Sequence, residues 1–248
     1  FLFEDGSDSE DCLLHPIHVN HVGRAKVNRN SPLFIRARGV SCNLKVFSEA
    51  AAGSGFFNVS PETDGILRSV PLIMEHQGKL YPSLALGTLM KASDLNNVLL
   101  KTDRNGVDSL YLNETAIPLT STGGLLIRFR GKGRTFNYVS AADILSDRVS
   151  QGKIQGKIVF VGTSASGLKE LRSTPFDPVF PGVEVHATVV DNILKKDFIS
   201  RPGWAAGLES LGVLAVGVIS AFILAWTGAG WSSLLLGGVG AGVWQASV

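Results

Sequence analysis

The sequence predicts an α/β protein, a mixed sheet with flanking helices, followed by transmembrane α-helices. Three observations predict it: a β-hairpin pattern near residue 70, a strand–loop–helix order between residues 157 and 194, and a C-terminal segment almost without charge. All 23 Lys and Arg residues lie at or before Arg201, and the only ionisable side chain from Trp204 onward is Glu209. A strand, a loop and then a helix are typical of layered α/β folds, while the hairpin adds antiparallel pairing.

The composition excludes several classes of protein. Of the 248 residues, 45% are hydrophobic and only 18% are charged, which excludes a disordered chain, a collagen-like repeat and a small disulfide scaffold. The net charge of +2, without a basic block, argues against a nucleic-acid partner. About 200 residues before the apolar segment are enough for a domain with a substantial core.

The C-terminal segment predicts membrane spans. Residues 205–226 would form a helix of roughly 33 Å at about 1.5 Å per residue, enough to cross a bilayer core of about 30 Å. A second apolar run covers residues 231–248, and all four tryptophans lie near the ends of the two runs. We therefore divide the chain into residues 1–203 and 204–248, with lipid as a partner. A helical hairpin buried in a soluble protein is the alternative, although the rest of the chain is too small to cover it.

The first half of residues 1–203 predicts a helix, a hairpin and a second helix. The alternation at residues 66–74 indicates a strand, Asp64-Gly65 a turn before it, and Pro71 a sheet edge or bulge. Ser83 is placed to cap the helix that follows. The predicted elements are a short strand or turn at 32–38, a helix at 44–52, the strand at 66–74, a turn at 76–79 and a helix at 84–92.

The second half predicts short strands and two more helices. The alternation at residues 125–130 places Arg128 and Arg130 on one face of a strand. The unbroken apolar run in residues 157–162 predicts a central strand buried on both faces. The remaining predicted elements are strands at 98–101, 109–112 and 116–118, a helix at 141–145 capped by Ser140, and a helix at 183–194 started by Pro181-Gly182.

The loop at residues 162–167 is the natural position for a site in such a fold. Leu168 stands where a phosphate-binding loop needs lysine, and Ser166 where a nucleophile elbow needs glycine. Backbone N–H groups around Thr163 and Ser164 remain candidates for holding a small anion, and an ordinary polar turn is the preferred alternative.

Four further side chains are candidate ligand-binding residues: Asp64, Arg68, Glu184 and His186. Asp64 is also suited to fixing the Asp-Gly turn, and Arg68 to pairing on a strand. His186 lies near the border of the apolar stripe on the predicted helix, beside Glu184. It could serve as a general base, but a hydrogen-bonded structural histidine is the preferred interpretation.

The cysteines and the remaining histidines suggest no metal or redox motif. Cys12 and Cys42 could form one disulfide or be two unrelated thiols, and the second interpretation is slightly preferred. His15, His18 and His21 recur every three residues, but residues three apart on an extended chain point to opposite faces. We expect an exposed loop there, and no metal or cofactor.

Several segments in a fixed order resemble the second class of CHASE domain (cyclase/histidine-kinase-associated sensing extracellular). The resemblance covers roughly residues 32–204. Its segments are Gly55-Phe56-Phe57-Asn58, Asp64-Gly65-Ile66-Leu67-Arg68, Pro71-Leu72, Tyr81-Pro82-Ser83-Leu84-Ala85-Leu86, Gly156-Lys157-Ile158-Val159-Phe160-Val161-Gly162, Thr174-Pro175 and Pro181-Gly182-Val183-Glu184-Val185-His186-Ala187.

This resemblance implies the extracytoplasmic sensor of a bacterial multi-pass receptor in the cell (inner) membrane. The sensor would be periplasmic or extracellular, respond to a small-molecule or environmental signal, and act as a homodimer. Its output would be a cytoplasmic adenylate or diguanylate cyclase, histidine kinase or Ser/Thr kinase outside this sequence, which leaves this segment without enzymatic activity. Two alternatives remain: a membrane-anchored hydrolase using Ser164 or Ser166 with His186, and a structural interaction module.

Overall fold

The structure is a computed structural model that describes residues 1–4, 12–23, 34–59, 61–103, 106–163, 171–200 and 204–226, together with 233, 237, 238, 240–242, 244 and 245. The chain divides into two compact units, Phe1–Ser200 and Arg201–Val248. The first unit combines helices with parallel and antiparallel strand pairs, which confirms the predicted mixed α/β class.

The elements of the described residues are short. The strands are β1 (Leu2–Glu4), β2 (His18–Gly23), β3 (Ile35–Ala37), β4 (Gly39–Ser41), β5 (Ser69–Pro71), β6 (Ile73–His76), β7 (Lys79–Pro82), β8 (Asn97–Thr102), β9 (Val107–Leu112), β10 (Thr115–Pro118), β11 (Gly124–Leu126), β12 (Leu171–Arg172) and β13 (Phe180–Pro181). The helices are α1 (Lys45–Ala50), α2 (Leu84–Ala92), α3 (Ala141–Leu145), a 3₁₀ turn (Gln151–Lys153), α4 (Gly182–Leu194) and α5 (Ala205–Trp226).

The strands form small sheets. A four-stranded sheet has the order β10-β9-β8-β2, in which β2 pairs with β8 in parallel and the other pairs are antiparallel. A three-stranded sheet has the order β3-β6-β7, with β3 parallel to β6 and β6 antiparallel to β7. Strands β1 and β4, β5 and β11, and β12 and β13 form antiparallel pairs.

The hairpin β6–β7 and helix α2 follow from local sequence. Gln77 and Gly78 both have positive φ, 50° and 76°, as a two-residue hairpin turn of type I′ requires. Ser83 then accepts a hydrogen bond from Leu86 N at 3.3 Å through its Oγ, which caps the first turn of α2. The predicted helix over residues 84–92 is confirmed without change of bounds.

Two clusters of buried side chains form the core of the first unit. The larger joins residues of α2 and α4 to strands β5, β6 and β8–β11. The smaller surrounds Phe3, Phe56 and Tyr81, and Cys12 and Cys42 pack against it. Those cysteines form a disulfide with their Cα atoms 5.7 Å apart. The preference for two unrelated thiols is therefore wrong, because both cysteines, 30 positions apart in sequence, pack against the same cluster.

The predicted central strand at residues 157–162 is wrong. No strand includes these residues, and their side chains are mostly outside the core: Val159 is 52% exposed and Val161 91% exposed. Phe160 alone packs against the larger cluster, as a partly buried residue. An apolar run indicates that a segment is suited to a buried strand. Whether the segment is buried depends on the rest of the fold, and here α2, α4 and the strands of the larger cluster form the interior.

Smaller differences concern strand lengths and caps. Strand β11 ends at Leu126, although Ile127 N still donates to Arg68 O at 2.9 Å, and residues 128–130 lie outside a strand. His18 and His21 lie on β2 rather than in a loop, and His21 Nε2 lies 2.7 Å from Thr102 Oγ1. Helix α3 has the predicted bounds, but the Ser140 side chain makes no capping hydrogen bond.

The second unit contains helix α5. Gly207–Trp226 has a mean hydropathy of 2.2 and is the one segment of the described residues long and apolar enough to cross a membrane. Of the predicted second span, residues 233, 237, 238, 240–242, 244 and 245 are described and helical. A second span over 231–248 stays a prediction.

Candidate functional site

Helix α4 is the last helix of the first unit and precedes the apolar helix α5 in sequence, and polar groups are concentrated at both of its ends. Val185, Val189 and Ile193, spaced by four residues, are almost completely buried in the larger cluster. The helix starts directly after Pro181 and ends before Lys196, whose φ of 53° stops it. These apolar contacts fix the helix, so the polar groups at its two ends are held in defined positions.

Glu184, in the first turn of α4, is only 2% exposed and accepts four hydrogen bonds. Its Oε1 accepts from Thr135 N at 2.8 Å and from Phe136 N at 3.3 Å. Its Oε2 accepts from Arg134 N at 2.7 Å and from Tyr138 Oη at 2.7 Å. A carboxylate has about four lone-pair positions that can accept hydrogen bonds, and these four donors occupy them. Glu184 therefore anchors the loop at residues 134–138 to the start of α4.

The same loop is held from a second side by Asp177. Its Oδ2 accepts a hydrogen bond from Gly133 N at 3.0 Å, and its Oδ1 accepts one from Val179 N at 2.9 Å. The N–H groups of Val179 and Gly133 lower the pKa of Asp177. A Cβ on Gly133 would lie 3.1 Å from Pro181 Cδ, which explains the glycine at this close approach.

Tyr138 completes the contacts around Glu184. Burial of its hydroxyl raises its pKa, and the hydrogen bond to Glu184 raises it further. The Arg134 guanidinium lies over the Tyr138 ring at 5.8 Å from its centroid. The phenol therefore stays protonated and serves as a donor to the carboxylate.

A group of ion pairs lies at the other end of α4. Arg130 binds two aspartates: its Nε donates to Asp191 Oδ2 at 2.7 Å, and its Nη1 donates to Asp197 Oδ2. Arg128 Nη1 also donates to Asp197, at 2.7 Å, and Lys195 Nζ lies 2.8 Å from Asp191 Oδ1. The predicted shared face of Arg128 and Arg130 is thus confirmed by their common partner.

These contacts shift the pKa of both aspartates downward. For Asp197 the hydrogen bond from Arg130 is the largest cause of the lowered pKa. For Asp191 burial is the largest single influence and raises the pKa, but hydrogen bonds from Lys195 and Arg130 outweigh it and the net shift is downward. Both carboxylates are charged at neutral pH.

Asn192 adds an uncharged contact at this end of α4. It is fully buried, its Oδ1 accepts a hydrogen bond from Arg128 N at 2.9 Å, and its Nδ2 donates to Arg128 O at 3.0 Å. The side-chain amide thus pairs with the backbone as a neighbouring strand would, just beyond the end of β11. Asn192 is not among the residues predicted from the sequence, where its only signal is a polar side chain on the buried face of α4.

Asp64 and Arg68 form a separate, exposed group. Asp64 Oδ1 accepts a hydrogen bond from Ile66 N at 2.9 Å, which fixes the turn as expected. Arg68 Nη1 lies 2.8 Å from Asp64 Oδ2 and 2.6 Å from Glu62 Oε2. The hydrogen bond from Ile66 N and the Arg68 guanidinium lower the pKa of Asp64. All of these contacts lie within residues 62–68. They are separate from the contacts that Glu184 makes with residues 134–138.

The other predicted site residues are distributed around the start of α4 and beyond. His186 is half-buried and stacks on Phe160 with ring centroids 6.2 Å apart. Thr163 is exposed, and Ser164 and Ser166 lie outside the described residues. Among the described residues, no group of three or more His, Cys, Asp or Glu side chains could hold a metal ion. Ligand binding by the predicted residues stays a prediction.

Comparison with known protein families matches residues 7–230 to the CHASE2 domain. The chain belongs to the CHASE2 family. CHASE2 domains are extracellular, sensory and non-catalytic domains of membrane receptors. The resemblance found in the sequence is thereby confirmed. Comparisons with curated proteins and with solved structures find no match.

Family membership gives the polar contacts of α4 a functional context. In this CHASE2 domain α4 ends at Leu194, and the apolar helix α5 begins at Ala205. The ion pairs of Asp191 and Asp197 therefore lie on the part of the sensory domain that leads, along the chain, into the membrane-spanning candidate.

Proposed function

We propose that residues 1–203 are the extracytoplasmic sensor of a bacterial inner-membrane receptor, and that a stimulus alters the packing of α4 and thereby of α5. The receptor is a multi-pass homodimer, with residues 231–248 as its second span. Its output is a cytoplasmic adenylate or diguanylate cyclase, histidine kinase or Ser/Thr kinase carried by a part of the protein outside this sequence. A stimulus shifts such a receptor only through different affinity for its two packing arrangements.

One observation carries the proposal: the helix that shares the larger core with α2 and ends in a group of ion pairs leads directly, in sequence, to an apolar helix of membrane-spanning length. The Cys12–Cys42 disulfide supports the location of the sensor, because disulfides persist in compartments outside the cytoplasm.

A topology experiment tests the location. The Lys79→Cys variant places one new thiol at the exposed start of β7, while the native cysteines are paired and do not react. A membrane-impermeant maleimide should label this variant in intact cells whose outer membrane is permeabilised, and wild-type chain under the same conditions serves as the control. Labelling only after lysis of the inner membrane would reverse the orientation.

A second experiment tests transmission in the full-length receptor. The Arg130→Gln variant removes the group that joins Asp191 to Asp197, and we expect its basal output to change by about fivefold or more, the lower range of typical coupling between sites. Output is measured as cyclic nucleotide formed or phosphate transferred. The control is Arg148→Gln, which breaks an exposed ion pair with Asp143. Equal effects of the two variants would contradict a special role for the end of α4.

A further inference from the structure

A cavity of about 360 Å³ lies between the segment at residues 15–17, the loop at 52–55 and helix α2. Its volume is within the range of small-molecule sites in proteins, roughly 300–1,000 Å³. The described residues that line the cavity include neither the polar groups of α4 nor Asp64, Arg68 and Thr163.

Two glycines shape this cavity. A Cβ on Gly55 would lie 2.7 Å from Leu84 Cα, so the loop can meet the start of α2 only with glycine at this position. Gly87 lies inside α2, where glycine costs about 1 kcal/mol relative to alanine. A Cβ there would make only ordinary contacts, 3.5 Å from Pro82 Cγ and from Ser54 O, so packing does not demand a glycine. The absence of a side chain at Gly87 keeps the wall of the cavity open.

The lining combines an apolar body with basic and neutral polar groups. The apolar part includes Ile17, Leu84, Met90 and Leu95. The polar side chains are His15, Ser54, Thr88, Lys91 and Asn96. Among the lining residues that the structure describes, none is acidic.

The polar groups differ in what they can offer a ligand. Thr88 Oγ1 donates to Leu84 O at 2.7 Å and is therefore engaged within α2. Ser54 Oγ accepts from His15 N at 2.8 Å and lies 3.1 Å from His15 Nδ1, which fixes the imidazole at the cavity wall. Lys91 is exposed at the last turn of α2 and brings a full positive charge to the rim.

We propose that this cavity binds a small organic anion, a monocarboxylate with an apolar body, as the signal of the sensor. Lys91 holds the carboxylate, and the apolar body lies against Leu84 and Met90. This inference rests on the sensory function proposed above and names the class of its ligand. Met90 belongs to the larger core with Val189 of α4, so occupancy of the cavity reaches α4 through the packing of α2.

The test measures binding to the full chain in lipid nanodiscs, with empty nanodiscs subtracted. Three matched probes of the same apolar body are titrated by calorimetry: 3-phenylpropanoate, 3-phenylpropan-1-ol and 3-phenylpropylamine. We expect saturable binding of the carboxylate, about tenfold weaker binding of the alcohol, and no binding of the amine, since Lys91 repels a second cation. Equal affinity for the three probes, or no saturable binding of the carboxylate, would overturn the proposal.

Variants separate the two parts of the proposed site. Lys91→Gln should weaken binding of 3-phenylpropanoate about tenfold, whereas Lys79→Gln, at an exposed position outside the cavity, should leave it unchanged. Gly87→Met places a flexible side chain in the cavity and should abolish binding. If that variant does not fold, Gly87→Ala should still weaken binding while raising the thermal midpoint of unfolding. Equal losses for Lys91→Gln and Lys79→Gln would overturn the assignment of Lys91.

Failure here is distinguishable from failure of the sensory function. The topology and output experiments can succeed while 3-phenylpropanoate fails to bind. That combination would support the sensory function and contradict a monocarboxylate as its ligand.

Discussion

The two ends of α4 hold the helix by different physical means. At the first turn the buried carboxylate of Glu184 faces three backbone N–H groups and one phenol. At the other end, Asp191 in the last turn and Asp197 just beyond it face arginine and lysine side chains at positions partly open to solvent. A buried acceptor with neutral donors is insensitive to salt and costly to alter, whereas partly exposed ion pairs respond to salt and pH. The first end is suited to anchoring the domain and the last end to being shifted.

The largest effect is expected at the first end. Glu184→Gln places an amide NH₂ against donors and should lower the free energy of unfolding by about 2–4 kcal/mol, because buried donors lose their acceptor. Urea unfolding of the full chain in detergent, followed by far-UV circular dichroism, measures this. Trp emission is an internal control, since all four tryptophans lie at or after Trp204. Glu49→Gln, on the exposed face of α1, is the matched control, and a loss as small as that of the control would remove the anchoring role of Glu184.

A smaller loss is expected for the uncharged contact at the last end. Asn192→Leu preserves the approximate volume of the side chain but leaves Arg128 N and O without their partner. We expect the free energy of unfolding to fall by about 1–3 kcal/mol, with no dependence on salt. The control is Asn97→Ala at the exposed first residue of β8. A salt-dependent loss would show that the variant disturbs the neighbouring ion pairs instead.

The ion pairs should contribute less, and in a salt-dependent manner. Arg130→Gln should lower the free energy of unfolding by about 1 kcal/mol at low salt and by less in 1 M NaCl, where the Debye length is about 3 Å. The loss in Glu184→Gln should be the same at both salt concentrations. If the two variants respond equally to salt, the contrast between the ends of α4 is not electrostatic.

The smallest effect is a dependence on pH. The pKa of Asp197 is lower in the folded chain than its unfolded value near 3.9, so its pairing stabilises the fold above that value and the contribution is lost as pH falls through the folded pKa. The difference in thermal midpoint between wild type and Asp197→Asn should therefore be present at pH 6 and shrink below about pH 4. Glu49→Gln should show no such difference at either pH, and a constant gap for Asp197→Asn would contradict the assignment.

Local signals in the sequence predicted much of the fold. The cap at Ser83, the turn at Gln77-Gly78 and the Pro181-Gly182 pair at the start of α4 each specify an element through neighbours in the chain, and those elements are confirmed. The family was also recognisable, because its segments occur in a fixed order along the sequence.

Distant contacts explain what could not be predicted. The exposure of Val159 and Val161 depends on which other elements fill the core, which an apolar run does not encode. The pairing of Asn192 with Arg128 joins residues 64 positions apart, and Cys12 joins Cys42 over a separation of 30. Of the α4 contacts, the sequence therefore indicated the shared face of Arg128 and Arg130 but not their partners.

The parallel pairing of β2 with β8 affects how this protein is made. His18 is opposite Asn97, so the partner of β2 emerges from the ribosome about eighty residues after β2 itself. Closing so long a loop costs conformational entropy before the contacts between the two strands can form and offset it. Pairings of this kind therefore form slowly. During synthesis β2 therefore lacks its neighbour until β8 has been made, and its unpaired edge is open to self-association over that interval.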